Sequence, residues 1–261
     1  CIPNVLDGLK PSQRKVLYAW LKRKLTDEIK VAQLAGYVSE HTAYHHGEQS
    51  LMGAIINMAQ DYVGSNNINL LFPSGQFGTR LLNGNDAASP RYISTYVEKI
   101  TELIFNPNDN FQLEHNVDDG KKIEYNYYIP TIPVILVNGS TGIGTGWSTN
   151  IPPHNIDDIV LNIKRLLKSK SCKEIKPYYE NFKGNIVMDH SKNKITIYGC
   201  WERISNNTIL ITELPIGISI NAYITYLNKL CDEKKVKNYE VEPSEKVIRI
   251  KVIFDLTKTE L

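Results

Sequence analysis

Arg91 and Tyr92 are neighbours near the end of the stretch QFGTRLLNGNDAASPRYIST, residues 76–95. A tyrosine hydroxyl is a weak nucleophile while it keeps its proton, and an adjacent guanidinium favours the ionised form. The same cation can hold the negative charge that grows on phosphate oxygens during a displacement reaction. The pair therefore has the chemistry needed to attack a phosphodiester and to form a covalent bond with it.

The context of Tyr92 is what distinguishes it, because the chain has fifteen tyrosines and most of them must be packing residues. Tyr92 ends the run Ser89-Pro90-Arg91-Tyr92, which a glycine-rich loop delivers. The spacing of Val97, Ile100, Leu103 and Ile104 predicts an amphipathic helix over Ser94–Phe105, directly after the pair.

Three helical patterns precede the loop and must support it. Ser12 can cap a helix that runs through about Leu25, and further patterns cover about Val31–Glu40 and Ser50–Val63. Three short helices followed by a loop suit a helix-turn-helix or winged-helix module that binds DNA. Any small helical bundle would give the same pattern, so this alternative stays open.

The rest of the chain mixes strands and helices. Tyr128–Val137 is predicted to be extended, because its prolines exclude a helix. The patterns predict helices over Asp157–Lys168 and Asn221–Cys231, and strands over Asn185–Val187, Lys194–Tyr198, Thr208–Thr212 and Lys246–Phe254. The fold class is therefore α+β. The polar run Asn106–Asn110 places a domain boundary after residue 107, giving domains 1–107 and 108–261.

Composition excludes several classes of protein. No apolar run reaches the roughly 18 residues that a membrane span needs, so no membrane partner is predicted. The four cysteines form no CxxC pair, which argues for reduced thiols rather than zinc or disulfides. A net charge of +2 does not by itself indicate nucleic acid. A basic cluster stands near the start, although such clusters are usually solvated helix faces; its members are Lys10, Arg14, Lys15, Lys22, Arg23 and Lys24.

Two motifs have the spacing of a zinc site and of a phosphate-binding loop, but each lacks a residue that such a site requires. His41 and His45 have the spacing of a helical zinc site but lack the glutamate of HExxH, so no metal ligands are predicted. Gly139 and Gly144 have the spacing of a phosphate loop, but Thr145 stands where its lysine belongs. An ordinary tight turn is the remaining alternative for that segment.

Several blocks together resemble the type IIA DNA topoisomerases. Residues 75–92 are similar to the family's GQFGTR and S-P-R-Y active-site loop, and residues 7–17 to its DGLKPxQRKVL block. VAQLAG at 31–36, YHHGEQSL at 44–51 and NGSTGIGTGWS at 138–148 resemble further blocks. YHHGE, in place of the bacterial YHPHG, indicates the eukaryotic or large-DNA-virus branch.

The resemblance assigns roles to particular residues. It makes Tyr92 the nucleophile of a reversible 5′-phosphotyrosine bond and Arg91 the residue that stabilises the transition state. Lys10 and Arg14 are four residues apart, hence on one helix face, which suits contact with two successive phosphates, and the resemblance implies that both face the cleaved backbone. The resemblance also places Tyr44 and His46 near the scissile phosphate. It makes Ile143 a wedge between base pairs.

The resemblance also implies what the chain leaves to its parent protein. A winged-helix domain and a tower-like domain, truncated before the coiled-coil arm, would belong to a homodimer that acts on double-stranded DNA. Mg²⁺ and ATP would bind metal-binding and ATPase domains of the same polypeptide. The parent would be nuclear, or reside in host cytoplasm or a virus factory if viral. The chain opens in mid-motif at Cys1, which indicates a fragment, and Asn85 replaces a lysine of the family.

A non-catalytic, architectural DNA-binding protein is the rival function. It would use the same helices and the same Ile143 wedge, and it would not need the hydroxyl of Tyr92.

Overall fold

A computed structural model describes residues 2–23, 27–192, 194–242 and 247–255. The chain divides into two compact units. The first contains most of the described residues up to 180, and the second contains 62–64, 78–86 and the described residues from 181 onward. Residues 108–180 thus cluster with the helices that precede them, whereas the sequence predicts a boundary after residue 107. The mixture of helices and antiparallel sheets confirms the α+β class.

Three helices form the core of the first unit: α1 (Pro11–Arg23), α2 (Val31–Thr42) and α3 (Glu48–Ala59). Their inward side chains pack together because apolar residues recur at helical spacing; Val16, Leu34 and Ile55 are fully buried.

The predicted start of α1 at a Ser12 cap is wrong. Pro11 is the first helical residue, where its missing N–H costs nothing. The Gln13 side chain accepts a hydrogen bond of 2.9 Å from the backbone N–H of Lys10 and so caps the helix. The predicted end at Leu25, and Lys24 of the basic cluster, lie outside the described residues.

The helix predicted over Ser94–Phe105 is correct only in its second half. Ser94–Thr95 form a strand, β2, that pairs with β1 (Ile29–Lys30), and helix α4 is Lys99–Ile104. Ser94 also exchanges backbone hydrogen bonds with Ser74. Pairing with two distant segments therefore overrides the local helical pattern. A 3-10 helix, Pro107–Gln112, follows α4.

Two hairpins and two helices complete the first unit. The hairpins are β3 (His115–Asp118) with β4 (Lys121–Tyr125), and β5 (Ser140–Gly144) with β6 (Trp147–Ile151). The expectation of an extended Tyr128–Val137 is wrong at its end, because α5 is Val134–Val137. Pro133 lies just before this helix and contributes only its carbonyl, so its ring breaks no hydrogen bond. Helix α6 is Ile156–Leu166.

The second unit packs helix α7 (Ile220–Asp232) on an antiparallel sheet. The sheet order is β11 (Asn238–Val241), β12 (Ile250–Ile253), β10 (Thr208–Glu213) and β9 (Cys200–Ser205). A separate hairpin joins β7 (Asn185–Asp189) and β8 (Lys194–Tyr198). The strand predicted from Lys246 begins at Ile250, which pairs with Val241 at the end of β11. Just before it, the Arg249 carbonyl accepts a hydrogen bond of 3.0 Å from the Glu242 N–H. Lys246 itself is outside the described residues.

Candidate functional site

Tyr92 lies at the end of a turn and not at the start of a helix. Its backbone N–H donates to the Ser89 carbonyl at 2.9 Å, and Pro90 stands at the second position of the turn, where its fixed φ is favourable. The Tyr92 side chain is 78% exposed, and Arg91 is exposed beside it. Within the described residues, neither the phenol nor the guanidinium has a hydrogen bond or an ion pair. Both groups are therefore open to a ligand.

Helix α2 holds the main chain on both sides of Tyr92. The N–H groups of Val31 and Ala32 donate to the carbonyls of Ile93 and Pro90, each at 3.1 Å. These N–H groups belong to the first turn of α2 and have no partner within the helix. The turn thus takes up helix-end donors that could otherwise bind an anion.

Two further contacts hold the same loop. Ile93 is buried, and Gly75 lies so close to it that a Cβ on Gly75 would come within 2.9 Å of the Ile93 side chain. Lys30 was missed by the sequence analysis: its Nζ donates to the Tyr92 carbonyl at 2.9 Å. The only signal in the sequence was its position directly before the first residue of α2. An exposed nucleophile candidate is thus carried on a backbone that is fixed.

Lys10 and Arg14 do not form the predicted pair on one helix face. Lys10 precedes α1, and its Nζ donates to the Thr141 carbonyl at 2.7 Å. Arg14 is only 6% exposed and forms an ion pair with the fully buried Asp7, with an Nε–Oδ2 distance of 2.6 Å. The guanidinium also donates to the Leu9 carbonyl at 2.9 Å. The Asp7 carboxylate and the Leu9 carbonyl thus engage Nε and Nη2 of Arg14 inside the fold, and this burial argues against the predicted phosphate contact.

Other members of the basic cluster are also engaged within the protein. The Nζ of Lys15 contacts the Glu124 carboxylate at 2.8 Å and the Thr42 carbonyl, which ties α1 to β4 and to the end of α2. The Arg23 guanidinium lies 4.7 Å from the centre of the Tyr37 ring. Part of the positive charge in this region therefore supports the fold.

Tyr44 and His46 lie together in the loop between α2 and α3. Their rings meet edge to face at a centroid distance of 5.4 Å; Tyr44 is half-buried, and His46 is exposed. Ala43 ends α2 in the left-handed conformation, with a φ of 45°, and so turns the chain toward this loop. Tyr44 thus supports the imidazole of His46, which faces solvent.

The histidines give no sign of a metal site. His41 stacks on Tyr37 at 4.0 Å between ring centres, whereas His45 lies 3.5 Å from a carboxylate oxygen of Asp118. Among the described residues no three His, Cys, Asp or Glu side chains are grouped so that they could hold a metal ion.

Ile143 projects from the β5–β6 hairpin and is 81% exposed. It pairs with Ser148, while Gly144 pairs with Trp147 across a two-residue turn in which Gly146 has a φ of 77°. No helix follows the glycines, so the segment is a tight turn and not a phosphate loop. The Trp147 side chain is also exposed. A large apolar side chain at an exposed hairpin end is suited to contact with an apolar surface outside the chain.

The family model for the DNA gyrase/topoisomerase IV A subunit matches residues 1–260. The chain belongs to this family, and the predicted resemblance to type IIA DNA topoisomerases is confirmed.

Curated relatives and a solved structure agree with this assignment. The chain is 54% identical over 222 residues to DNA topoisomerase 2 of Bombyx mori, covering 85% of the chain and 14% of that protein. It is 48% identical over 268 residues to DNA topoisomerase 2 of Arabidopsis thaliana, covering 99% of the chain and 18% of that protein. The crystal structure of the DNA-binding, cleavage and re-ligation domain of Plasmodium falciparum topoisomerase II superposes with a TM-score of 0.95 at 48% identity, over 97% of this chain and 35% of that one. The chain thus spans less than a fifth of the length of these two curated relatives.

No helix among residues 2–23, 27–192, 194–242 and 247–255 is both long and apolar enough to cross a bilayer.

Proposed function

We propose that this chain is the part of a type IIA DNA topoisomerase that breaks and rejoins DNA, and that Tyr92 is its nucleophile. The observation that carries the proposal is the exposed phenol of Tyr92 next to the exposed guanidinium of Arg91, on a turn fixed to the start of α2. Family membership supports the same role.

The reaction is a transesterification that conserves the energy of the broken bond. The Tyr92 oxygen loses its proton and attacks the phosphorus of a backbone phosphate. A bond forms between that oxygen and the 5′-phosphate, the bond from phosphorus to the 3′-oxygen breaks, and this oxygen leaves as a 3′-hydroxyl after taking a proton. Arg91 stabilises the charge on the phosphate oxygens in the transition state. The reverse step rejoins the strand.

Contacts to double-stranded DNA come from residues spread over the first unit. Lys10 contacts phosphate, and Tyr44 and His46 donate hydrogen bonds near the scissile phosphate. Ile143 acts as a wedge between base pairs, which bends the duplex and permits wider contact. Arg14 supports this surface from within and does not touch DNA.

The parent protein provides the second subunit and the domains that bind Mg²⁺ and ATP. We assign residues 1–107 to a winged-helix domain and 108–261 to a tower-like domain of a nuclear enzyme, or of a viral one that acts in host cytoplasm. Two copies of Tyr92, one per subunit of a homodimer, break the two strands. Mg²⁺ and ATP bind the metal-binding and ATPase domains of the same polypeptide.

A non-catalytic DNA-bending protein is the second candidate. The exposed side chains of Ile143 and Trp147 on one hairpin favour it, because they suffice for bending without any covalent step. The two candidate functions differ in one requirement, because only DNA cleavage needs the hydroxyl of Tyr92.

Covalent trapping tests the proposal. The full-length protein is mixed with end-labelled duplex and Mg²⁺ and is denatured, for the wild type, Tyr92→Phe and the control Tyr198→Phe, which removes another exposed hydroxyl. We expect label on protein for the wild type and the control, and none for Tyr92→Phe. An adduct that persists without the Tyr92 hydroxyl would assign the nucleophile elsewhere. DNA bending without any adduct, for all three proteins, would favour the architectural candidate.

A further inference from the structure

Three successive residues donate hydrogen bonds to the turn that carries Tyr92. Lys30 donates from its side chain to the Tyr92 carbonyl, while Val31 and Ala32 donate from their backbone to the carbonyls of Ile93 and Pro90. Lys30 is the last residue of β1 and pairs with Ser94 of β2. The side-chain contact therefore starts from a backbone that is itself fixed against the residues following Tyr92.

The Lys30 ammonium is available for this contact because no carboxylate neutralises it. Within the described part of the chain Lys30 has no ion pair, and the neighbouring Glu28 accepts a hydrogen bond from Ser74 at 3.0 Å instead. An ammonium has three donors, and the Tyr92 carbonyl takes one of them. Lys30 is exposed, so its loss leaves no buried group unpaired.

We propose that Lys30 is a positioning residue for the Tyr92 nucleophile. The inference rests on the function proposed above. The backbone donors hold the turn at Pro90 and Ile93, and Lys30 fixes the peptide group between Tyr92 and Ile93. With that peptide held, the phenol can move only through its own side-chain torsions. Restricting a reacting group in this way matters because a displacement of about 1 Å can slow a reaction about 100-fold.

Two other roles for Lys30 predict different measurements. A lysine that binds a DNA phosphate adds to affinity, and its removal weakens binding and lowers the salt dependence of log Kd by about one charge. A lysine that only stabilises the fold changes the melting temperature and the fraction of active protein, and the rate per active molecule stays the same.

The experiment uses the full-length enzyme with Lys30→Met, Lys30→Arg and the control Lys99→Met, which removes another exposed positive charge from the first unit. The rate of covalent adduct formation is measured in a single turnover against DNA concentration, together with Kd, its salt dependence and the melting temperature. Adduct formation by wild type, and its absence in Tyr92→Phe, first establishes the proposed function.

We expect Lys30→Met to slow adduct formation at saturating DNA about 10-fold to 100-fold. The half-saturating DNA concentration, the salt dependence and the melting temperature should match those of Lys99→Met. Lys30→Arg keeps a donor at this position and should recover most of the rate.

Three results would overturn the inference while the proposed function stands: an unchanged rate in Lys30→Met, a loss confined to Kd and its salt dependence, or a loss explained by the fraction of folded protein. If wild type gives no adduct, or Tyr92→Phe still gives one, the proposed function itself fails.

Discussion

Arg14 and Asp7 form a buried two-point ion pair, with Nε–Oδ2 and Nη2–Oδ1 distances of 2.6 and 3.0 Å. The same carboxylate accepts hydrogen bonds from the backbone N–H groups of Leu9 and Tyr128, at 2.9 and 3.0 Å. One side chain therefore joins the segment before α1, the helix itself and the chain after β4. A basic residue of the DGLKPSQRK block is thus part of the internal framework.

Arg14→Met should destabilise the protein, because it leaves the Asp7 carboxylate buried without its cation. Breaking such a pair by removing one partner costs about 3–5 kcal/mol. Lys10→Met should cost at most about 1 kcal/mol, since the Lys10 ammonium is exposed. Denaturant unfolding of both variants measures the difference. If Arg14→Met were stable and bound DNA more weakly than wild type, the result would support the phosphate contact that the sequence predicts.

Arg91→Ala should slow DNA cleavage far more than it weakens DNA binding. Loss of one donor to the charge that develops in a transition state typically costs about 100-fold to 1,000-fold in rate. We expect Kd to change only about threefold, because a single exposed charge contributes little to affinity. Single-turnover adduct formation and fluorescence anisotropy measure the two quantities. Equal losses in rate and affinity would mean that Arg91 binds the ground state as strongly as the transition state.

Ile143→Ala should reduce DNA bending without destabilising the protein. The Ile143 side chain is exposed, so its truncation leaves no cavity, whereas a wedge between base pairs needs its bulk. Energy transfer between dyes at the duplex ends measures the bend, and thermal unfolding measures stability. Leu103→Ala, which truncates another exposed apolar side chain of the first unit, is the control. Equal bending by wild type and Ile143→Ala would show that Ile143 does not act as a wedge between base pairs.

Tyr128 should make stability fall at alkaline pH. Burial raises its pKa well above the ordinary value, with the neighbouring Tyr125 adding to the effect. The folded state thus keeps a proton that the unfolded chain loses above about pH 10. Stability is unaffected below that pH and declines as pH rises through and beyond it.

Tyr128→Phe tests this dependence, because the Tyr128 hydroxyl is buried and has no hydrogen-bond partner within the described structure. Its removal should be neutral or stabilising by about 1 kcal/mol at pH 7, and stability should decline less steeply above pH 10. Tyr127→Phe, at the exposed neighbouring residue, is the control. Parallel pH profiles for wild type and Tyr128→Phe would show that the buried phenol does not govern alkaline unfolding.

The local sequence pattern was sufficient to predict those elements whose regularly spaced apolar residues also form the face that packs on the core. Helices α2, α6 and α7 lie within about three residues of their predicted bounds, and the strand predicted near the end of the chain buries Ile250 and Val252 on one face. The local pattern failed where a segment distant in sequence forms the backbone hydrogen bonds that a helix would otherwise use. Ser94–Thr95 satisfies a helical pattern, yet pairing with Ile29–Lys30 draws it into a strand.

The sequence by itself determined the family, the α+β class and the adjacency of Arg91 to Tyr92, because those follow from residue order and short-range spacing. Only the tertiary structure decided which basic residues are exposed and which are engaged inside the fold. Arg14 and Lys10 look equivalent in the sequence, but the fold buries Arg14 against Asp7, whose carboxylate also binds the distant Tyr128 N–H, and leaves the Lys10 ammonium at the surface. The link between Lys30 and Tyr92 spans 62 residues and likewise depends on folding. Local periodicity cannot encode such contacts, since they form only when the chain closes on itself.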